Sequence, residues 1–204
     1  MSKEKWTMVI LAVVVGAIVI IKYILGLTHV PIDSNVARME GRVGARVQIV
    51  EFVDFQCPSC AKGYQLLRSY IQKHPNDIHA QLKYFPLYKI HSHAKQSALY
   101  SECAARQGKF WPFIDKLFER QQQWAPMINV DNAYADMAKE SGLDMNALNV
   151  CQVSEATMQA IEQDRLLGNT LAVSSTPTYF INNKMVVGAK SLQEELNTYF
   201  PEGK

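Results

Sequence analysis

A chain of 204 residues with 48% hydrophobic and 20% charged side chains has the composition of a folded protein and excludes a disordered or low-complexity one. Twenty-one Lys and Arg stand against nineteen Asp and Glu, a net charge of +2 with no basic face and no acidic tail, so nothing points to nucleic acid. Four cysteines are too few for a small disulfide scaffold, which makes their placement more informative than their number.

In chain order, the first twenty-seven residues stand apart. Met8–Ile21 is an uncharged apolar run, preceded by Lys3 and Lys5 and continued past Lys22 by Tyr23–Leu27. Counted to Leu27, with Lys22 reaching its ammonium to the headgroups, the run suffices for a bilayer core of about 30 Å. No small-x-small cleavage site follows, so residues 1–27 read as an uncleaved signal anchor, a transmembrane helix, in preference to a cleaved signal peptide. Lysines ahead of the run place the N-terminus in the cytoplasm. Either form of the segment exports the domain to a periplasmic or other extracytoplasmic compartment, where disulfides persist. Residues 28–45 contain Pro31, Asp33, Ser34, Asn35 and two glycines without a sustained period, which reads as a tether. Beyond residue 27 about 175 residues remain, enough for one domain with a sizeable core, placed at residues 46–204.

Arg46–Phe55 alternates β-branched and aromatic residues and predicts a strand. Over Pro58–His74, Ala61, Tyr64, Leu67 and Ile71 recur at helical spacing opposite Lys62, Gln65, Arg68 and Gln72, and Pro75 ends the run. His79–Tyr88 reads as a second strand. A helical block follows from about 91 to 170, with helices at Ala94–Arg106, Phe110–Gln123, Asn132–Ser141, Met145–Val150 and Ser154–Leu167, punctuated by Gly108, Pro126 and Gly142. Thr178–Ile181 and Met185–Val187 flank Asn182-Asn183-Lys184 as a hairpin, and Ser191, with Glu194 at the capping-box position, starts a last helix to Phe200. The order is that of an α/β chain with one large helical insertion.

Cys57-Pro58-Ser59-Cys60 lies between the first strand and the first helix. A lone C-x-x-C also serves as half of a zinc site, but tetrahedral zinc needs about four ligands. Cys103 and Cys151 form no second C-x-x-C, and His91 and His93 lack finger spacing, so neither a metal nor a cofactor is expected. Position favours redox chemistry. A cysteine opening a helix faces the positive end of the helix dipole and free N–H groups, which stabilise its thiolate. Cys60, three residues on, shares its helix face. Cys57 then exchanges with a substrate sulfur, and Cys60 resolves the mixed disulfide. Asp54 and Lys62 read as surface charges, and His91, His93, Phe110, Trp111, Phe113 and Phe118 as core and surface of the insertion.

Glu51-Phe52-Val53-Asp54-Phe55-Gln56-Cys57-Pro58-Ser59-Cys60 resembles the active-site region of DsbA-like, thioredoxin-fold thiol–disulfide oxidoreductases. Ser175-Thr176-Pro177-Thr178-Tyr179-Phe180-Ile181-Asn182 resembles their second signature, and Cys103–Trp111 the helical insertion of that branch. The resemblance covers nearly everything from Arg46 to Phe200. It implies a thioredoxin-like fold in which Pro177, after Thr176, is cis and stands beside the cysteine pair, against the trans form that base rates favour. It also places Glu51 where many thioredoxin-fold proteins bury an acid that relays a proton for the inner cysteine. Strand alternation alone leaves a solvent-facing glutamate equally open. Cys103 and Cys151 are then expected as a structural disulfide, contributing about 3–5 kcal/mol on the chain-entropy account; two buried free thiols are the alternative. The function implied is a dithiol oxidase acting on exported cysteine-containing proteins and reoxidised by a quinone-linked membrane partner. An isomerase or reductase, or a copper-holding periplasmic chaperone, are the rivals. Pro-Ser departs from the Pro-His of the best-known oxidases and removes a positive charge near the thiolate, which predicts a milder oxidant.

Overall fold

The structure, a computed structural model, describes residues 3–24 and 36–201. The chain divides into two units, Met1–Pro31 and Ile32–Lys204. In the first, Lys3–Ile24 forms helix α1 of 22 residues. Among the described residues no helix is long and apolar enough to cross a membrane, so the expected transmembrane span is not supported there. The described helix stops at Ile24 and carries Lys22 in its last turn; the expected continuation over residues 25–27 lies outside the described residues.

In the second unit the strands are β1 (Met39–Gly41), β2 (Val47–Val53), β3 (Ile78–Tyr84), β4 (Thr178–Ile181) and β5 (Lys184–Val187), in the order β1-β3-β2-β4-β5. β2 and β3 run parallel, which requires the crossover through α2 (Pro58–Lys73), whereas the β1–β3, β2–β4 and β4–β5 pairs are antiparallel. Between β3 and β4 lie α3 (Ala94–Arg106), α4 (Phe110–Glu119), α5 (Gln121–Trp124), α6 (Asp131–Glu140), α7 (Met145–Gln152) and α8 (Glu155–Thr170), and α9 (Ala189–Tyr199) closes the domain. This is the expected thioredoxin-like α/β architecture with its helical insertion. Val47, Ile49, Ile78, Ala80, Tyr179 and Ile181 pack with Leu67, Ile71, Leu192 and Leu196 of α2 and α9. On the opposite face Phe52 meets Phe85 and Phe180 edge-on. β2 is therefore covered on both faces, with six of its seven residues buried.

Most expected elements shift by a few residues at their ends, and the expected helix Phe110–Gln123 is divided at Arg120 into α4 and α5; three further differences have a long-range or backbone reason. Residues 28–35 of the expected tether lie outside the described residues, but Val36–Arg38 forms a 3₁₀ turn and Met39–Gly41 pairs with β3, so this stretch belongs to the folded domain. Arg38 is drawn inward by Asp164, 126 residues away, to which Nη1 is ion-paired, and its guanidinium lies 4.5 Å from the centre of the Tyr84 ring. Asp164 also accepts from Lys83 Nζ at 3.3 Å and from the Tyr84 N–H at 3.0 Å. Glu102 takes the Tyr84 hydroxyl at 3.2 Å and Arg106 Nε at 3.0 Å. β3 ends at Tyr84 rather than Tyr88, ahead of Pro86. The last helix starts at Ala189, not Ser191, because Gly188 at φ 85° turns the chain out of β5 and its carbonyl accepts the Leu192 N–H at 3.1 Å. The hairpin turn is made by Asn182 and Asn183 at φ 47° and 70°, the left-handed values of a two-residue turn.

Candidate active site

β2 delivers the chain through Asp54–Gln56 to Cys57, which has an extended backbone (φ −72°, ψ 121°) and stands immediately before α2. The Cys57 carbonyl accepts the Cys60 N–H at 3.0 Å, starting the helix, and Pro58 occupies the first helical position, where no N–H is needed. Sγ of Cys57 is thereby presented at the N-terminal end of a sixteen-residue helix.

The loop is held from several sides. Asp54, expected at the surface, is buried: its carboxylate accepts the N–H groups of Gln56 and Leu87, each at 2.8 Å, and lies 2.8 Å from His91 Nδ1. These partners come from the following turn and the loop after β3, so no local pattern reveals them. The Gln56 side chain donates to the Ala125 carbonyl at 3.1 Å and accepts the His93 N–H at 2.6 Å. Gln121, from the insertion, donates to the carbonyls of both Phe55 and Cys57, at 2.7 and 3.0 Å. Asp54, Gln56 and Gln121 are site residues that sequence reasoning missed, and for Gln121 the sequence offers no signal. Lys62 is exposed, as expected.

Thr176 and Pro177 arrive from the loop before β4, joined by a cis peptide bond. Cys57 Sγ lies 3.3 Å from the Thr176 carbonyl, to which it donates when protonated. Cys57 is 8% exposed and Cys60 fully buried. The Cys57 pKa is lowered to about 5, first by the hydrogen bond from the Cys60 thiol, against the effect of burial, with the Thr176 side chain and the N–H groups of Cys60 and Ser59 adding to it. Burial pushes the Cys60 thiol well above its ordinary value, and the neighbouring Cys57 and the charge of Glu51 push the same way. At neutral pH the outer sulfur is a thiolate and the inner one a thiol. The arrangement can therefore accept or donate a disulfide at the surface while the inner sulfur waits protonated.

One expectation follows directly. A cysteine whose folded-state pKa lies below its unfolded value of 9.0 adds stability that is complete above pH 9 and is lost as pH falls through about 5. The contribution exists only in the dithiol form. The unfolding midpoint of the reduced protein should therefore rise relative to that of the oxidised protein between pH 5 and 9; a pH-independent difference would contradict the assignment.

Glu51 is fully buried between β2 and α2, because a central strand gives its alternate residues no solvent. Burial raises its pKa to about 8, and Tyr179, its cross-strand partner on β4, tempers the rise. Of the two orientations that alternation left open, the structure shows the buried one. Cys103 and Cys151 are disulfide-bonded, S–S 2.04 Å, and link α3 to α7. His91 and His93 serve the site loop rather than the insertion core, His93 Nε2 lying 2.7 Å from the Met127 carbonyl. Beside the Thr176–Pro177 loop an apolar groove opens between Ser175, Phe85, Leu87, Tyr88 and Ile90. Among the described residues no group of three or more His, Cys, Asp and Glu is placed to hold a metal ion.

Comparison with known proteins agrees with this geometry. The α-DsbA1 structure of Wolbachia pipientis superposes with a TM-score of 0.72 at 21% identity, covering 85% of this chain and 92% of that one. Oxidised BdbD from Bacillus subtilis gives 0.67 at 24% identity, with 79% and 91% covered. Among curated sequences the chain is 28% identical over 167 residues to the Na(+)/H(+) antiporter NhaA 3 of Salinispora tropica, a match to 80% of this chain and 24% of that protein. The chain thus spans about a quarter of the length of the curated relatives it matches. The family model described as Thioredoxin matches residues 34–199, and the chain accordingly belongs to the thioredoxin family, within which it has the fold of the DsbA-like thiol–disulfide oxidoreductases.

Proposed function

We propose that the protein is an extracytoplasmic dithiol oxidase that donates the Cys57–Cys60 disulfide to exported cysteine-containing proteins. The observation that carries the reading is the placement of the two sulfurs, Cys57 at the N-terminal end of α2 and 8% exposed, Cys60 one turn on and fully buried; it lowers the Cys57 pKa to about 5 and raises the Cys60 thiol well above its ordinary range. Anything that stabilises the thiolate favours the dithiol over the disulfide, so the disulfide becomes a stronger oxidant. The apolar groove that reaches Ser175, the residue before Thr176, supports a protein segment as substrate over a small thiol. The uncharged run Met8–Ile21 behind Lys3 and Lys5 supports export and anchoring at the plasma or inner membrane, which in turn suits a quinone-linked membrane partner for reoxidation. The second disulfide, Cys103–Cys151, is compatible with an oxidising compartment. Ion transport is not carried over from the antiporters, because the match covers 24% of such a protein.

The test is the reduction potential of the Cys57–Cys60 pair, measured against glutathione. A value well above about −180 mV is expected, and one near the thioredoxin value of about −270 mV would overturn the oxidase reading in favour of a reductase.

A further inference from the structure

Beneath the reactive pair lies a group of buried polar atoms that the exchange of disulfides leaves unexplained. Both carboxylate oxygens of Glu51 and the hydroxyl of Tyr179 are buried and meet no partner in good hydrogen-bonding geometry among the described residues. Both residues are fully buried. They face each other across the β2–β4 ladder as direct partners, on the side of the sheet covered by α2. An unpaired polar group in such a place costs about 1–3 kcal/mol, and here three such oxygens are gathered at one point.

The hydroxyl is there because α2 makes room for it. Any side chain at Gly63 would overlap the Tyr179 hydroxyl, and Gly63 lies one helical turn beyond Cys60, on the same face. The titratable groups acting on Tyr179 are Glu51 from β2, Cys60 from α2 and Cys57 at its start. Those acting on Cys60 are Cys57 and Glu51, while Glu51 is acted on by Tyr179.

We propose that Tyr179 is the positioning residue for Glu51: its O–H is directed to the Glu51 carboxylate and keeps that carboxylate able to take the proton of Cys60. The inference rests on Cys57 and Cys60 being the redox pair. With glutathione disulfide as oxidant, the Cys57 thiolate attacks one of its sulfurs, one glutathione leaves as thiolate, and Cys57 is left in a mixed disulfide. The Cys60 proton then passes to Glu51. The Cys60 sulfur attacks Cys57 Sγ, the Cys57–Cys60 bond forms, and the Cys57–glutathione bond breaks with release of the second thiolate. Two electrons pass from the dithiol to glutathione disulfide. Tyr179 keeps its proton throughout, because burial and the charge of Glu51 push its ionisation well above the ordinary phenol range.

The experiment mixes the reduced full-length protein with glutathione disulfide over a range of pH and resolves the two steps by acid quench and mass spectrometry. In Tyr179→Phe the first step should keep its rate and pH profile. The midpoint of the second should move up by about one pH unit, with a roughly tenfold slower step at pH 7. In Glu51→Gln the second step should already be slow, and adding Tyr179→Phe should change it no further. An unchanged second-step midpoint in Tyr179→Phe, or the same slowing with and without Glu51, overturns the proposal. Should Tyr179→Phe not fold, the carboxyl stretching band of protonated Glu51 in the unsubstituted protein, assigned by its loss in Glu51→Gln, decides: a hydrogen-bonded frequency supports the proposal and a free one overturns it. Failure of the unsubstituted protein to form any Cys57–Cys60 disulfide is a different result, and it removes the oxidoreductase reading itself.

Discussion

Cys57→Ser is expected to leave no measurable disulfide exchange in a protein that still folds. The argument is one of replacement. A serine hydroxyl does not ionise in the range where the Cys57 thiolate exists, and it forms no disulfide with a substrate. Cys60 cannot take over: it is fully buried, and its thiol is held protonated by burial and by its neighbours. The hydrogen bonds that shape the loop fall on backbone groups of Cys57, its N–H to the Asp54 carbonyl at 3.1 Å and its carbonyl from Gln121 at 3.0 Å, so they survive the substitution. Insulin reduction or oxidative refolding of a reduced substrate would measure the loss, with circular dichroism as the control for folding. Cys60→Ser should behave differently, accumulating a stable mixed disulfide at Cys57 because nothing resolves it. Full turnover in Cys57→Ser would overturn the site assignment.

Asp164→Asn should cost about 3–5 kcal/mol of stability, the range for breaking a buried ion pair from one side. The four side chains Arg38, Lys83, Glu102 and Asp164 are all nearly inaccessible to solvent, with side-chain exposures of 4%, 2%, 3% and 7%. Two positive and two negative charges balance there. Removing one negative charge leaves the set net positive in a place where water cannot compensate. The consequence should be a lower denaturant midpoint with an unchanged slope in a urea titration. A change below about 1 kcal/mol, the usual worth of an exposed pair, would show that the network is solvated in solution. Because Arg38 precedes β1, the same substitution should raise proteolysis around residues 36–41, where the edge strand depends on that anchor.

Much of the architecture was readable because its causes are local. The alternation of Val47–Val53, the spacing of Tyr64, Leu67 and Ile71, and Pro58 at the first turn each act within a few residues. The paired asparagines at 182 and 183 likewise specify their turn. Where expectation and structure part, the cause is distant. Arg38 and Met39–Gly41 carry no period. Their place comes from Asp164, from pairing with β3, and from the Trp111 indole N–H, which donates to the Met39 carbonyl at 3.1 Å. Asp54 looks like any charge at the end of a strand until the loop after β3 brings it Leu87 and His91. Glu51 illustrates a limit of alternation itself: period two assigns a residue to a face, but on a central strand both faces are interior. The two cysteines of the site and the Thr176-Pro177 pair were legible as motifs. Gln121 was not, since an amide that reaches two carbonyls across a helical insertion leaves no trace in its neighbours.

The close fit of Gly63 against Tyr179 also bears on how this site can change over generations. Each position makes the other's substitutions conditional: alanine at 63 collides with the phenol, and a side chain without the hydroxyl at 179 opens the space that alanine would need. The two substitutions therefore have an order. A lineage that first gives up the hydroxyl slows the second exchange step but can later fill the helix face, whereas one that begins at the glycine meets a steric clash in the packed helix. Pairs drawn from diverged copies of this domain should accordingly combine a larger residue at 63 only with a residue at 179 that lacks the phenolic oxygen.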